Sequence, residues 1–288
     1  MRISIGVVFA LAAAVVTACG SEDRDYGVLA EQVAKVGGGD STQDAFVWAP
    51  DADGDGAADV GGSYPLVYMI PGSGGSAERD LDVVAHELAR RGVVVFGADW
   101  RTLSGSVSDL EMDAECGYRL SRRIAADYGG DLSAPVTVAG FSMGATAALY
   151  VGINEEEWGP EGAYGECSPG EPRPDLVVAL SGCHQNMQFP SGATSWGNRE
   201  ARWLLVAGSD DDVCPMSESE FAASLMSEQG YDVEVVEIEG AAHGGVVFHD
   251  IVDEPNVVDN WVTLPTDDPP GVETVDLILD AIESVRDS

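Results

Sequence analysis

The stretch Val136-Thr137-Val138-Ala139-Gly140-Phe141-Ser142-Met143-Gly144-Ala145-Thr146-Ala147-Ala148-Leu149 decides how the rest of the chain is read. Its first four residues are short and largely β-branched or apolar, as a strand covered on both faces requires. Its last five are helix formers. Between them lies G-x-S-x-G, here Gly140 to Gly144. A strand that reverses sharply into a helix needs small residues on both sides of the bend. The turn lifts the serine hydroxyl above the sheet, at a helix N-terminus that favours developing negative charge. Ser142 is therefore the candidate nucleophile, and a serine hydroxyl attacks only when an imidazole takes its proton.

Working outward, that requirement predicts an acid and a histidine later in the chain, each at the carboxyl end of a strand. The run from Trp203 to Ala207 ends in Gly208-Ser209-Asp210-Asp211-Asp212-Val213-Cys214-Pro215, and the run from Val233 to Ile238 ends in Glu239-Gly240-Ala241-Ala242-His243. His243 is the candidate base. Asp211 is the candidate acid by its spacing from Gly208 and Pro215, with Asp210 and Asp212 as rivals. Of the remaining histidines, His86 falls inside a helical pattern and His249 follows no strand end. His184, directly after Cys183 at a strand end, is a candidate for lining the substrate pocket.

From Ala45 onward the chain resembles an α/β-hydrolase of the carboxylesterase and dienelactone-hydrolase kind. The segment from Asp113 to Gly140, with its Cys-x-x-Arg and Tyr-Gly-Gly-Asp, is especially similar to esterases. In such proteins a Gly-x-x-Asp-x-Val-x-Pro segment carries the acid and a Gly-x-x-His segment the base, which matches Asp211 and His243. The resemblance implies hydrolysis of carboxylic esters through an acyl-serine. Peptides, thioesters and polyesters are substrates open to the same residues, and a catalytically dead binding protein is the alternative outside enzymology. The NH of Met143 is one expected donor to the oxyanion. The second should come from Pro71-Gly72-Ser73-Gly74-Gly75-Ser76, which is similar to the His-Gly-Gly-Gly loop of esterases and closer to the Pro-Gly-x form of cutinase-like hydrolases. That points to the NH of Ser73. Position 71 lacks the histidine, so Gly74 stays open as the donor or as a substrate contact.

Short β-branched runs alternate with stretches of helical period, the pattern of a mostly parallel sheet with helices on both faces. Strands are expected at 45–48, 66–70, 93–98, 136–139, 176–180, 203–207 and 233–238, and amphipathic helices at 77–91, 109–128, 143–153, 217–229 and 273–286. Two insertions, 154–174 and 185–199, interrupt them. The second sits where many hydrolases carry a lid, but it is too short for a large cap domain.

Met1 and Arg2 precede an apolar run to Ala18 that is too short for a comfortable membrane span, so residues 1–18 read as an export signal. Val16-Thr17-Ala18-Cys19 resembles a bacterial lipobox, which implies lipidation at Cys19 and anchoring to the cell envelope. Residues 19–43, Gly-rich and charged, read as a flexible tether, and 44–288 as the catalytic domain. The other cysteines, Cys116, Cys167, Cys183 and Cys214, suit structural disulfides in an exported protein. Cys183 should pair with Cys214, since both follow strands expected to be neighbours, which leaves Cys116 with Cys167.

Fifty acidic residues against fourteen basic ones give a formal charge of −36, and Lys35 is the one lysine. Such a field makes nucleic acid a poor partner and suits either an exported enzyme kept soluble by its charge or a salt-adapted protein, because self-repulsion weakens as the Debye length falls from about 10 Å at 0.1 M to about 3 Å at 1 M salt. The oligomeric state is not legible. No cofactor is expected for catalysis. The run from Asp51 to Asp59 places Asp51, Asp53, Asp55 and Asp59 as the first, third, fifth and ninth positions of a calcium loop with Gly56 at the turn, although Gly62 stands where a bidentate Glu is expected. A calcium ion there would stiffen an expected hairpin, and a plain acidic Asp-Gly turn is the other reading.

Overall fold

In the computed structural model of the protein, residues 26–36, 43–101, 107–154, 172–191, 195–248 and 274–287 are described. The expected signal segment, Cys19, Cys167 and His249 lie outside the described residues, as does most of the 154–174 insertion. Eight strands, β1 (Gly27–Val36), β2 (Gln43–Asp51), β3 (Leu66–Ile70), β4 (Val94–Ala98), β5 (Val136–Phe141), β6 (Leu176–Leu180), β7 (Arg202–Gly208) and β8 (Val233–Ile238), form one sheet in the order β1-β2-β4-β3-β5-β6-β7-β8. β2 runs antiparallel to both β1 and β4, and all other neighbours are parallel.

The central strands are apolar throughout because both faces are covered. Leu66, Tyr68 and Ile70 of β3, Val94 and Phe96 of β4, and Val177 and Ala179 of β6 point into one core layer. Their neighbours Val67, Met69, Val95 and Val178 point into the other, as the two-residue period dictates. Helices α2 (Val107–Ile124), α3 (Met143–Ile153) and α4 (Met216–Glu228) cover the first layer. Helices α1 (Ala77–Arg90), α5 (Gly245–Phe248) and α6 (Thr274–Arg286) cover the second. α1 shows why such segments fold as they do: Ala77, Leu81, Val84, Ala85, Leu88 and Ala89 make one buried stripe, and Ser76 accepts the Arg79 N–H at its start. Among the described residues, no helix is long and apolar enough to cross a membrane.

The structure departs from the sequence reading in several places. β1 lies within the stretch read as a tether. It is an edge strand in which none of the residues from Gly27 to Val33 is fully buried, so the apolar run that marks the inner strands is missing. Its order comes from the ladder to β2, from Tyr26 N–H to the Arg90 carbonyl (2.9 Å), and from Tyr128 OH to Glu31 (2.8 Å). α3 is not amphipathic, since every residue from Gly144 to Ile153 is buried. The expected helix over 109–128 closes at Ile124 and passes into a 3₁₀ turn over Ala125–Tyr128. The segment from Asp51 to Leu66 is no hairpin, because β2 and β3 each pair with β4 rather than with each other.

Candidate active site

The bend between β5 and α3 holds Ser142 at φ 57° and ψ −119°, a conformation that L-residues rarely adopt. The flanking glycines make it possible. A Cβ on Gly140 would lie 2.0 Å from the Gly144 carbonyl oxygen, and one on Gly144 would lie 2.3 Å from the carbonyl oxygens of Ile70 and Pro71. The Ser142 N–H donates to the Leu180 carbonyl at 2.9 Å, which ties the bend to β6.

Three side chains from three strand ends meet there. The Nε2 of His243 lies 3.0 Å from Ser142 Oγ, and its Nδ1 lies 2.8 Å from Asp211 Oδ2. Asp211 Oδ1 accepts the N–H groups of Val213 (3.0 Å) and Cys214 (2.8 Å), so both carboxylate oxygens are held. The rival acids are exposed to solvent, and Asp210 accepts the Ser209 hydroxyl. The loops that carry Asp211 and His243 also grip each other. Asp210 N–H donates to the Ala241 carbonyl at 3.0 Å, and Gly208 must lack a side chain because its Cβ would lie 2.0 Å from that same oxygen.

The loop after β3 lies against Ser142, a Cβ on Gly72 falling 3.4 Å from that of Ser142. Its shape is set from outside. Gly72 N–H donates to Asp80 (3.2 Å), while the Gly72 carbonyl accepts the Trp100 indole N–H (2.9 Å) and Gly75 N–H (3.0 Å). Among the described residues, the N–H groups of Ser73 and Met143 have no hydrogen-bond partner. Gly74 is exposed, and a Cβ on it would collide with the Arg79 guanidinium. Asp80 and Trp100 had no local signal in the sequence. Their parts depend on α1 and the end of β4 meeting the same loop.

Cys183 and Cys214 form a disulfide with Cα atoms 4.9 Å apart. It lies against the catalytic candidates: Cys183 Sγ is 3.9 Å from Ser142 Oγ, and Cys214 Sγ is 4.0 Å from His243 Nε2. Cys116, buried in α2, is also disulfide-bonded.

His184 does not line a pocket. It is completely buried, its Nδ1 lies 3.0 Å from Thr146 Oγ1, and burial pushes its pKa down to about 3. The imidazole is therefore neutral core, and His86 is exposed on α1. The described parts of the 185–199 insertion pack against α3. Met187 and Phe189 are buried, Phe189 meets Tyr150 of α3, and Gly197 N–H donates to the Ile153 carbonyl at 3.0 Å. The carboxylates of Asp51, Asp53 and Asp55 gather within 4.8 Å of one another, but Asp59 turns away to accept the Tyr64 hydroxyl at 2.8 Å.

No protein-family model and no curated protein matches the sequence. Solved structures do. An α/β hydrolase, MGS-M1, from a Medee basin deep-sea metagenome library is 16% identical over 92% of this chain and 100% of its own, with a TM-score of 0.65. A truncated carbohydrate esterase from gut microbiota is 15% identical over 93% of this chain and 100% of its own, with a TM-score of 0.62. The fold is the α/β-hydrolase fold. A thermophilic esterase from the planctomycete Thermogutta terrifontis is 19% identical over 78% of this chain and 85% of its own, with a TM-score of 0.54. The same esterase has been solved with propionate and with butyrate bound.

Proposed function

We propose that the protein is a serine hydrolase of carboxylic esters. The carrying observation is the continuous line from Asp211 through His243 to Ser142, at 2.8 and 3.0 Å, ending on a hydroxyl raised on a strained bend. In this reading Asp211 holds the imidazole with Nδ1 protonated, so that Nε2 presents its lone pair to Ser142. As Oγ attacks the ester carbonyl, its proton passes to Nε2, and the imidazolium then protonates the departing alcohol. The N–H groups of Ser73 and Met143 receive the oxyanion, a contribution of about 3 to 4 kcal/mol for one donor in mutational cases. Water, deprotonated by the same imidazole, releases the acid.

Short acyl esters are the first substrates to test, in view of the propionate and butyrate complexes of the Thermogutta esterase. A p-nitrophenyl ester series of rising chain length, run beside peptide and thioester substrates, ranks the substrate classes. Fluorophosphonate labelling of Ser142 tests the mechanism, and a folded protein that takes no label there would be a binding protein instead. The proposal places the reaction at the cell envelope, tethered through Cys19. Metabolic labelling with a palmitate analogue, lost in Cys19→Ala, tests that placement.

A further inference from the structure

We propose that the opened Cys183–Cys214 disulfide and His243 form a binding site for a thiophilic divalent cation such as Zn²⁺, and that filling it shuts the hydrolase. Both sulfurs and the imidazole are buried, and one ligand atom from each lies within 4.8 Å of the other two. A tetrahedral zinc site with Zn–S near 2.3 Å and Zn–N near 2.0 Å needs ligand atoms about 3.3 to 3.8 Å apart. Cys214 Sγ is already 4.0 Å from His243 Nε2. Bonded sulfurs, about 2 Å apart, cannot serve as two separate ligands, so the oxidised protein lacks the site.

The shell behind the ligands is in place as well. A metal-bound imidazole holds its geometry when its other nitrogen donates to a carboxylate, and His243 Nδ1 meets Asp211 Oδ2 at 2.8 Å. Ser142 Oγ, 3.0 Å from Nε2 and 3.9 Å from Cys183 Sγ, lies beside the fourth position.

The chemistry balances with a dithiol as reductant. The dithiol delivers two electrons and two protons to the sulfur–sulfur bond and leaves as its own cyclic disulfide, giving two thiols. The cation then displaces both thiol protons and accepts the Nε2 lone pair. That lone pair is the one Ser142 requires. Inhibition therefore rests on the hydrolase reading, whereas the metal site does not.

Co²⁺ titration of the full-length protein, oxidised and after dithiothreitol treatment and desalting, reads the site without any substrate. We expect the reduced protein to take up one more Co²⁺ than the oxidised protein, with a thiolate charge-transfer band. The band should vanish in Cys183→Ser with Cys214→Ser, a variant that keeps Cys116 and so subtracts any other thiol pair. Asp211→Asn should weaken the site about 10- to 100-fold through its outer shell, and His243→Ala by more. Zn²⁺ should displace Co²⁺, abolish ester turnover of the reduced protein alone, and be reversed by a chelator. Circular dichroism of the reduced protein is measured alongside. An unchanged Co²⁺ spectrum in the double cysteine variant, equal binding before and after reduction, or loss of fold on reduction overturns the proposal. The last does so because the ligands, 31 and 29 residues apart, are then no longer gathered. A protein that binds Co²⁺ as expected but turns over no ester in any state would refute the hydrolase reading and leave the site standing.

Discussion

Asp51 and Asp211 begin as the same device and end differently. Each is a buried aspartate at or just beyond a strand end, and each accepts backbone N–H groups from the loop that follows. Asp51 Oδ1 accepts Gly54 (2.9 Å) and Asp55 (3.1 Å), and its Oδ2 accepts Gly56 (3.0 Å), so both oxygens are committed to its own turn. Asp211 takes its two loop N–H groups on Oδ1 alone, which leaves Oδ2 for an imidazole 32 residues away. Their places differ too. β2 runs antiparallel to β4, so Asp51 lies at the edge of the sheet opposite the carboxyl ends that carry Ser142, Asp211 and His243. The same local chemistry stiffens a turn at one edge and holds an imidazole at the other. Which of these it does depends on whether one oxygen is left over.

The sharpest way to break the comparison is at the far end of the Asp211 line. His243→Ala or Ser142→Ala should lower kcat by at least about 10⁴-fold with the fold retained, since such residues act as a unit. Ester turnover with a thermal melt alongside checks this, and a loss under about tenfold would place the chemistry elsewhere. Asp211→Asn should reduce kcat by about 10² to 10⁴-fold, because the amide presents a donor where the imidazole needs an acceptor. Asp210→Asn and Asp212→Asn, both exposed, should stay within about threefold. A reversed ranking would reassign the acid.

At the opposite edge the expected effect is on stability alone. Asp51→Ala leaves three N–H groups without their acceptor and should lower stability by about 1 to 3 kcal/mol while kcat holds. Urea unfolding and steady-state assays on the same preparation separate the two. If calcium occupies this loop, Ca²⁺ should raise Tm above the value in Mg²⁺ at equal ionic strength, and Asp53→Asn with Asp55→Asn should remove the difference.

A third carboxylate gives the opposite sign of pH dependence from a paired acid. Glu111 of α2 is buried, its Oε1 has no partner among the described residues, and burial pushes its pKa from 4.5 up to about 8. Because the folded state holds the proton more tightly, its contribution is complete below pH 4.5 and is lost progressively as pH rises toward 8. Glu111→Gln should therefore flatten the fall in Tm between pH 5 and pH 9. An identical fall in both proteins would show that the carboxyl is solvated.

What the sequence by itself determined is local. Strand, bend and helix around Ser142 follow from residue types whose conformational preferences act within a few positions, and Gly140 and Gly144 are there because no larger residue fits. The order Ser142, Asp211, His243 and the Cys183–Cys214 pairing were legible because each residue follows a strand end, and strand ends in a parallel sheet share one edge. The tertiary structure decided the rest. Whether His184 faces substrate or core, whether Trp100 clamps Gly72, and whether the 27–36 segment joins the sheet depend on contacts across long stretches of chain. β1 has an ordinary edge-strand sequence that pairing with β2 makes a strand, and His184 a strand-end position packed against α3 and Phe189. The nearness of two sulfurs to Ser142 and His243 belongs to this second kind. Periodicity and turn chemistry report on neighbours along the chain, whereas a hydrogen bond between residues 101 positions apart is a property of the path the chain takes.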